Sequence, residues 1–251
     1  MNIIVPIKRV PDLVEELEID SSGTDLDREW LKFKVNEFDD HALEEALLYK
    51  EANGGTVIAI ALDGDDVEKS LYAAAAKGAD KVVKVTGLDG NISNHEAAKA
   101  FANVIGGMGA DMVFTGVQSV EDRDGQLGPL LAHYMGITHI SVVTGVAPGG
   151  GGVTVTKEYG GGVVAEFEAQ TPIVLGIQAA QETPRYVPVA KVRRAMRSTD
   201  LEEVSAGDVG VSAGSSVSRM FKPEGGGSAE MISGSADDVA SKLAEIIKSK
   251  S

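Results

Sequence analysis

An α/β fold, a mostly parallel sheet with helices on both faces, is predicted by three features of the chain. Short apolar runs rich in β-branched residues (Asn2 to Ile7, Thr56 to Leu62, Lys81 to Val85 and Asp111 to Thr115) alternate with segments of helical periodicity. Such alternation with short links implies parallel strands joined by right-handed crossovers. Late in the chain, Val153 to Lys157 and Val163 to Glu168 alternate on either side of Tyr159-Gly160-Gly161-Gly162, which reads as a β-hairpin because no helix follows the glycines. Beyond residue 198 the apolar periodicity fades until a final helix from about Asp237 to Lys248, so the fold is expected to carry an extended C-terminal arm ending in a helix.

Composition excludes several function classes. With 251 residues and 43% apolar content the chain is long and hydrophobic enough for a substantial core. A formal charge of −15 argues against nucleic acid as a partner, since phosphate neutralisation needs a basic surface. No apolar run reaches the length of about 18 residues that spans a bilayer, so no membrane insertion is expected. The opening lacks a basic leader with a cleavage site, and the expectation is a cytoplasmic protein of a bacterium or archaeon without a signal peptide. Without cysteine there is no disulfide, thiol nucleophile or thiolate-held metal. The four histidines lack metal-ligand spacing.

In chain order, the first strand is broken by Lys8-Arg9-Val10-Pro11-Asp12. Its two cations, at the carboxyl end of a strand, either meet an anionic ligand or are solvated loop charges. Residues 13–30 are acidic and turn-rich around Ser21-Ser22-Gly23, a surface excursion with the character of a hairpin. Asp39 is the expected N-cap of the next helix, with Ala42, Leu43, Ala46 and Leu47 as its buried stripe. Phe38 is then a hydrophobic staple against Leu43 or faces a ligand. A helix from Val67 to Lys77, rich in alanine, stops at Gly78. Asn94 is expected to cap the helix that ends at Gly106-Gly107. Thr171 to Ile177 is a further buried strand.

The stretch Thr115 to Ala132 follows the run Met112-Val113-Phe114 and leads into Leu127, Leu130, Leu131 and Tyr134, spaced as a helix face. Strand, glycine-containing loop and helix start in that order suit a phosphate held by free backbone N–H groups, or an ordinary βα connection. The segment Pro184 to Arg197 carries Arg185, Lys191, Arg193, Arg194 and Arg197 and no acid. In so acidic a chain this island steers an acidic partner, holds a phosphate or is a solvated helix face. Three regions result: an α/β domain over 1–183, a basic segment over 184–197, and an arm with terminal helix over 198–251.

The ordered set of Ile3-Ile4-Val5-Pro6-Ile7-Lys8-Arg9-Val10-Pro11-Asp12, Val35-Asn36-Glu37-Phe38 to Leu47, Ala76-Lys77-Gly78-Ala79-Asp80, Gly116-Val117-Gln118-Ser119 to Gly128, and Pro184-Arg185-Tyr186 with its basic continuation resembles the small (beta) subunit of electron transfer flavoproteins. The likeness covers nearly the whole chain. It implies a Rossmann-like fold of the adenine-nucleotide α-hydrolase type and an electron carrier without acid–base catalysis of its own. The implied partner is a larger alpha subunit whose FAD takes electrons from acyl-CoA or related dehydrogenases and passes them to a membrane quinone oxidoreductase.

The resemblance further implies AMP as a structural ligand, with a second FAD in electron-bifurcating relatives that use NADH. By position, that nucleotide site comprises Pro6, Ile7 and Lys8; Asn36; Ala61, Leu62 and Asp63; Gly116, Val117, Gln118, Ser119 and Asp122; and Gly125, Gln126, Leu127 and Gly128. Leu13 and Phe38 correspond to positions near the flavin, and Arg185, Tyr186, Val189, Lys191, Arg193 and Arg194 to the segment that docks on dehydrogenases. A standalone AMP-binding sensor is the alternative of another class, but it leaves the basic segment and arm without a task. An ATP-using enzyme of the same fold is disfavoured, because the chain has neither a Gly-Lys-Ser/Thr nor a Ser-Gly-Gly-x-Asp loop.

Overall fold

The computed structural model describes residues 1–88, 92–211, 216–223 and 229–250. The expected α/β architecture is present. In chain order the elements are β1 (Asn2–Pro6), β2 (Arg9–Pro11), β3 (Phe33–Val35), α1 (Glu37–Asn53), β4 (Thr56–Leu62), α2 (Val67–Lys77), β5 (Lys81–Thr86), α3 (Asn94–Ile105), β6 (Met112–Gly116), α4 (Leu127–Met135), β7 (Thr138–Gly149), β8 (Gly152–Glu158), β9 (Val164–Ala169), β10 (Ile173–Ile177), α5 (Val189–Ser198), β11 (Leu201–Ser205) and α6 (Ala236–Lys250).

One sheet of nine strands in the order β11-β5-β4-β1-β6-β10-β7-β8-β9 organises the domain. Its ladders are parallel from β11 to β7 and antiparallel from β7 to β9, so the late hairpin extends one edge. The pleat alternates side chains between the two faces. Ile3 and Val5 join Leu43, Leu47 and Leu71 in one core, whereas Ile4 joins Phe101, Ile105 and Leu131 in the other. Strands buried on both faces have apolar residues at successive positions, the pattern that marked them in sequence. The chain moves outward from β1 through β4 to β5, then returns to place β6 on the other side of β1. In open α/β sheets this reversal opens a crevice at the carboxyl ends of the two strands.

Several local expectations are corrected. Lys8 to Asp12 does not simply break the first strand: Arg9–Pro11 forms β2, paired antiparallel with β3 in a small second sheet. Val10 is 1% exposed and anchors this ribbon to the body. The excursion beyond it has hairpin character, with a bridge between Ile19 and Leu26. The N-cap of α1 is Asn36, so Asp39 lies inside the first turn and Phe38 no longer has the position of a staple residue. Ser93, not Asn94, caps α3, because Ser93 and Glu96 form a reciprocal capping box that satisfies two orphan donors at once.

Helix α1 has a second role that its amphipathic pattern concealed. Glu45 is fully buried and accepts hydrogen bonds from Val146 N (2.8 Å), Gln181 N (3.0 Å) and Gln181 Nε2 (2.8 Å). Glu44, 2% exposed, accepts from Arg185 N and Nε at 2.9 Å each and pairs with its Nη2 at 2.8 Å. The two acids clamp the segment between β10 and α5 onto the domain, and α5 then packs on α2. Glu45→Ala leaves the buried Val146 N–H without an acceptor and frees the part-buried Gln181 donors, and is expected to lower stability by about 2 kcal/mol. A urea titration with unchanged slope and a lowered midpoint checks this.

Past α5 the chain does not leave the domain at once. β11 adds in parallel to β5, and Lys84 ties the edge together through Glu203 (2.8 Å) and Glu68 (2.9 Å). Further on, Met220 N donates to Gly23 O at 2.7 Å and Lys222 pairs with Glu18 at 2.7 Å, so this part of the arm rests on the acidic excursion. Gly225-Gly226-Gly227, the glycine run of the arm, lies outside the described residues. Helix α6 has no buried residue, and its Leu243 and Ile246 are exposed.

Candidate nucleotide site

The site forms where the β1–β6 reversal meets the start of α1. Asn36 N donates to Lys8 O (2.8 Å) and Lys8 N donates to Asp39 Oδ2 (2.9 Å), so the backbone of Lys8 is held on both sides by the head of α1. The other oxygen of Asp39 accepts from Gly116 N at the end of β6 (3.2 Å). One buried carboxylate thus brackets the ends of the two strands that flank the reversal. Asn36 Nδ2 donates to Gln118 O at 2.8 Å, which fixes the first part of the following loop. Ser119 N donates to Asp122 O and Asp122 N to Ser119 Oγ, both at 3.0 Å, closing a tight turn with Val120 and Glu121 at its tip.

A cleft follows from these contacts. It is lined by Lys8, Asn36, Asp39, Asn94, Gly116, Val117, Gln118, Ser119, Asp122, Gly125 and Leu127. Helix α4 begins at its wall, and Gln126, its N-cap, makes no side-chain capping bond. The N–H groups of Leu127 and Gly128 in the first turn have no intrahelical acceptor, and Pro129 has none to offer. Gly125 reaches this turn with φ of 64°, and a Cβ there would run into Val117 O. An uncapped helix start with a lysine ammonium on the same cleft is a donor set that fits a phosphate group.

Of the residues assigned by resemblance, Lys8, Asn36, Gly116, Val117, Gln118, Ser119, Asp122, Gly125 and Leu127 line this cleft. Pro6 and Ile7 lie behind it in β1 and just beyond, with Ile7 buried. Ala61 and Leu62 end the neighbouring strand β4 and Asp63 follows it; none of the three is among the lining residues of the cleft, nor are Gln126 and Gly128. Phe38 is half-buried in the first turn of α1, and Leu13 is exposed on the excursion. The two cations of the first loop part company: Lys8 lines the cleft, whereas Arg9 donates to Asp65 O and lies over the Phe33 ring. In the basic segment Tyr186, Val189, Lys191, Arg193 and Arg194 are exposed. Arg185 is instead a tether to Glu44 and Glu51.

Asp39 and Asn94 also line the cleft, a role their sequence hides because each has the residue type and position of a helix cap. The signal for Asp39 was the Asn36-x-x-Asp39 spacing, which sets a carboxylate one turn beyond a capping asparagine. Burial pushes the Asp39 carboxyl up to about 7, against the lowering effect of Asn36 and of the Lys8 and Gly116 amides. Its folded value therefore lies above its unfolded value, and the native state binds this proton more tightly. The resulting stability is complete below about pH 4 and is lost as pH rises through about 7. Asp39→Asn is expected to remove this slope, so the stability difference between wild type and variant shrinks by a few kcal/mol from pH 4 to pH 8. Parallel denaturant titrations of the two proteins across that range check the sign.

Among the described residues no His, Cys, Asp and Glu cluster forms a metal site, and no helix is long and apolar enough to cross a membrane. Comparison with known proteins identifies the family. Residues 25–209 match the family described as electron transfer flavoprotein domain. The electron transfer flavoprotein subunit beta of Methylophilus methylotrophus is 34% identical, with 98% of each chain covered. That of Clostridium acetobutylicum is 32% identical over 76% of this chain and 74% of its own. That of Bacillus subtilis is 24% identical over 100% and 98%. This chain belongs to the electron transfer flavoprotein beta-subunit family. Membership in this family agrees with an electron carrier subunit.

Proposed function

We propose that this chain pairs with a larger alpha subunit in an electron-carrying heterodimer and holds AMP in the cleft between β1 and β6. One observation carries the reading: Lys8, Asn36 and the uncapped start of α4 converge on one cleft at the sheet reversal, in a chain of this family. Lys8 and the N–H groups of Leu127 and Gly128 neutralise and orient a phosphate, and the loop from Gly116 to Gly125 walls the nucleoside. FAD, held mainly by the alpha subunit, supplies the electron-accepting and electron-donating chemistry when bound. Leu13 and Phe38 exclude water beside it. The exposed cations Lys191, Arg193 and Arg194, with Tyr186 and Val189, meet an acyl-CoA-type dehydrogenase; a quinone oxidoreductase receives the electrons. Fast, weak and salt-sensitive encounters suit a carrier that must leave each partner after transfer.

Co-production with the alpha subunit, followed by acid release and quantification of ligands, tests the proposal. One FAD and one AMP per heterodimer are expected. Two FAD and no AMP would select the bifurcating reading, in which NADH is the donor. A chain that forms no heterodimer and carries AMP alone would favour a sensor.

A further inference from the structure

We propose that Glu121 is a specificity-determining gate on the nucleotide cleft: its carboxylate bridges Lys8 and Arg28, yields Lys8 to a nucleoside monophosphate and disfavours a longer phosphate chain. The proposal rests on the nucleotide reading above. Glu121 Oε2 is 2.9 Å from Lys8 Nζ, and Oε1 is 3.6 Å from Arg28 Nη2. The two cations come from different parts of the chain, the end of β1 and the acidic excursion. Glu121 is therefore the contact by which the cleft loop joins both. It sits at the tip of the Ser119–Asp122 turn, so its placement follows from a locked piece of backbone.

Lys8 is the moving part. Its backbone N–H and C=O are both engaged by the head of α1, whereas its side chain is 49% exposed and, among the described residues, forms its salt bridge with Glu121. An ion pair between groups this exposed is weak, so a phosphate on the α4 donors can take over the ammonium at little cost. Glu121 stays beside the mouth because Arg28, itself fixed by Asp25 and the Phe33 ring, still holds its other oxygen. A second phosphate extending outward then faces this carboxylate at short range, where like charges repel. The acid thus stands in for phosphate before binding and acts as a length filter after it.

Calorimetric titration of the full heterodimer, freed of nucleotide, with adenosine, AMP and ADP tests the gate. Glu121→Gln preserves shape and removes the charge. Affinity for AMP is expected to rise about fivefold, the scale of an exposed ion pair, and for ADP on the order of tenfold. Adenosine affinity stays unchanged, and the gains shrink at high salt. Arg28→Gln, which releases the second anchor, relaxes the preference for AMP over ADP without altering adenosine. A parallel change for AMP and adenosine in Glu121→Gln, or an AMP-to-ADP ratio that neither variant moves, overturns the gate. Wild type and variants that bind no adenine compound at all would instead refute the nucleotide reading and the gate with it.

Discussion

Reversal of Arg193 and Arg194 to Glu is expected, on the docking role proposed for this segment, to slow electron transfer from a dehydrogenase by on the order of tenfold to a hundredfold at low salt. Both side chains are exposed on α5, whose apolar face is carried by Val192 and the buried Ala195. The substitution therefore removes no packing, and it takes four charges off a basic island, from +5 to +1, on a chain of net charge −15. An effect of this kind lies in association, so stopped-flow traces should show a lowered second-order rate with an unchanged limiting rate. Raising the ionic strength shortens the Debye length and should bring the two proteins together. Nucleotide content and thermal stability should not change. Loss of AMP from this variant would mean that the basic helix belongs to the nucleotide site and not to partner docking.

Gly116→Ala is expected to cost about 3 kcal/mol of stability, at the upper end for overpacking a close-packed site. The reason lies in how near α1 passes to the end of β6. A Cβ at Gly116 would fall 2.7 Å from Phe38 Cβ and 2.9 Å from Asp39 N, besides striking Asp39 Oδ1. Two of these neighbours are fixed by the helix and the third by its hydrogen bond to Gly116 itself. The head of α1 must then move off the strand ends, opening the bracket that shapes the cleft. Nucleotide affinity should fall with stability, which equilibrium unfolding and a ligand titration read separately. Gly64→Ala serves as the control, since a Cβ there meets nothing within 4 Å, and it should stay within about 0.5 kcal/mol of wild type. A Gly116→Ala protein as stable as that control would refute the close-approach argument.

The strand and helix alternation was legible because each element is amphipathic or apolar over its own few residues. Val67 to Lys77 and its stop at Gly78 agree with the structure to the residue. Helix starts were less legible, because Ser93 and Asn94, or Asn36 and Asp39, are equally good caps as residue types. The choice depends on which donors each side chain meets once the chain is folded. Arg185 is the clearest case at the surface. In sequence it belongs to a run of free cations, but Glu44, 141 residues earlier, turns it into a tether.

Local pattern by itself determined the sheet, its two covered faces and the late hairpin, because periodicity and turn chemistry act within a few residues; for the loop after β6 it left a phosphate loop and an ordinary βα connection both open. The tertiary structure decided which polar groups converge. The Asp39–Gly116 contact spans 77 residues and the Glu45–Val146 contact spans 101. Buried hydrogen bonds of such separation leave no periodic trace in the chain. They arise only when the reversal between β1 and β6 brings distant strand ends to one helix start, and with them Lys8 and Glu121 to the mouth of one cleft.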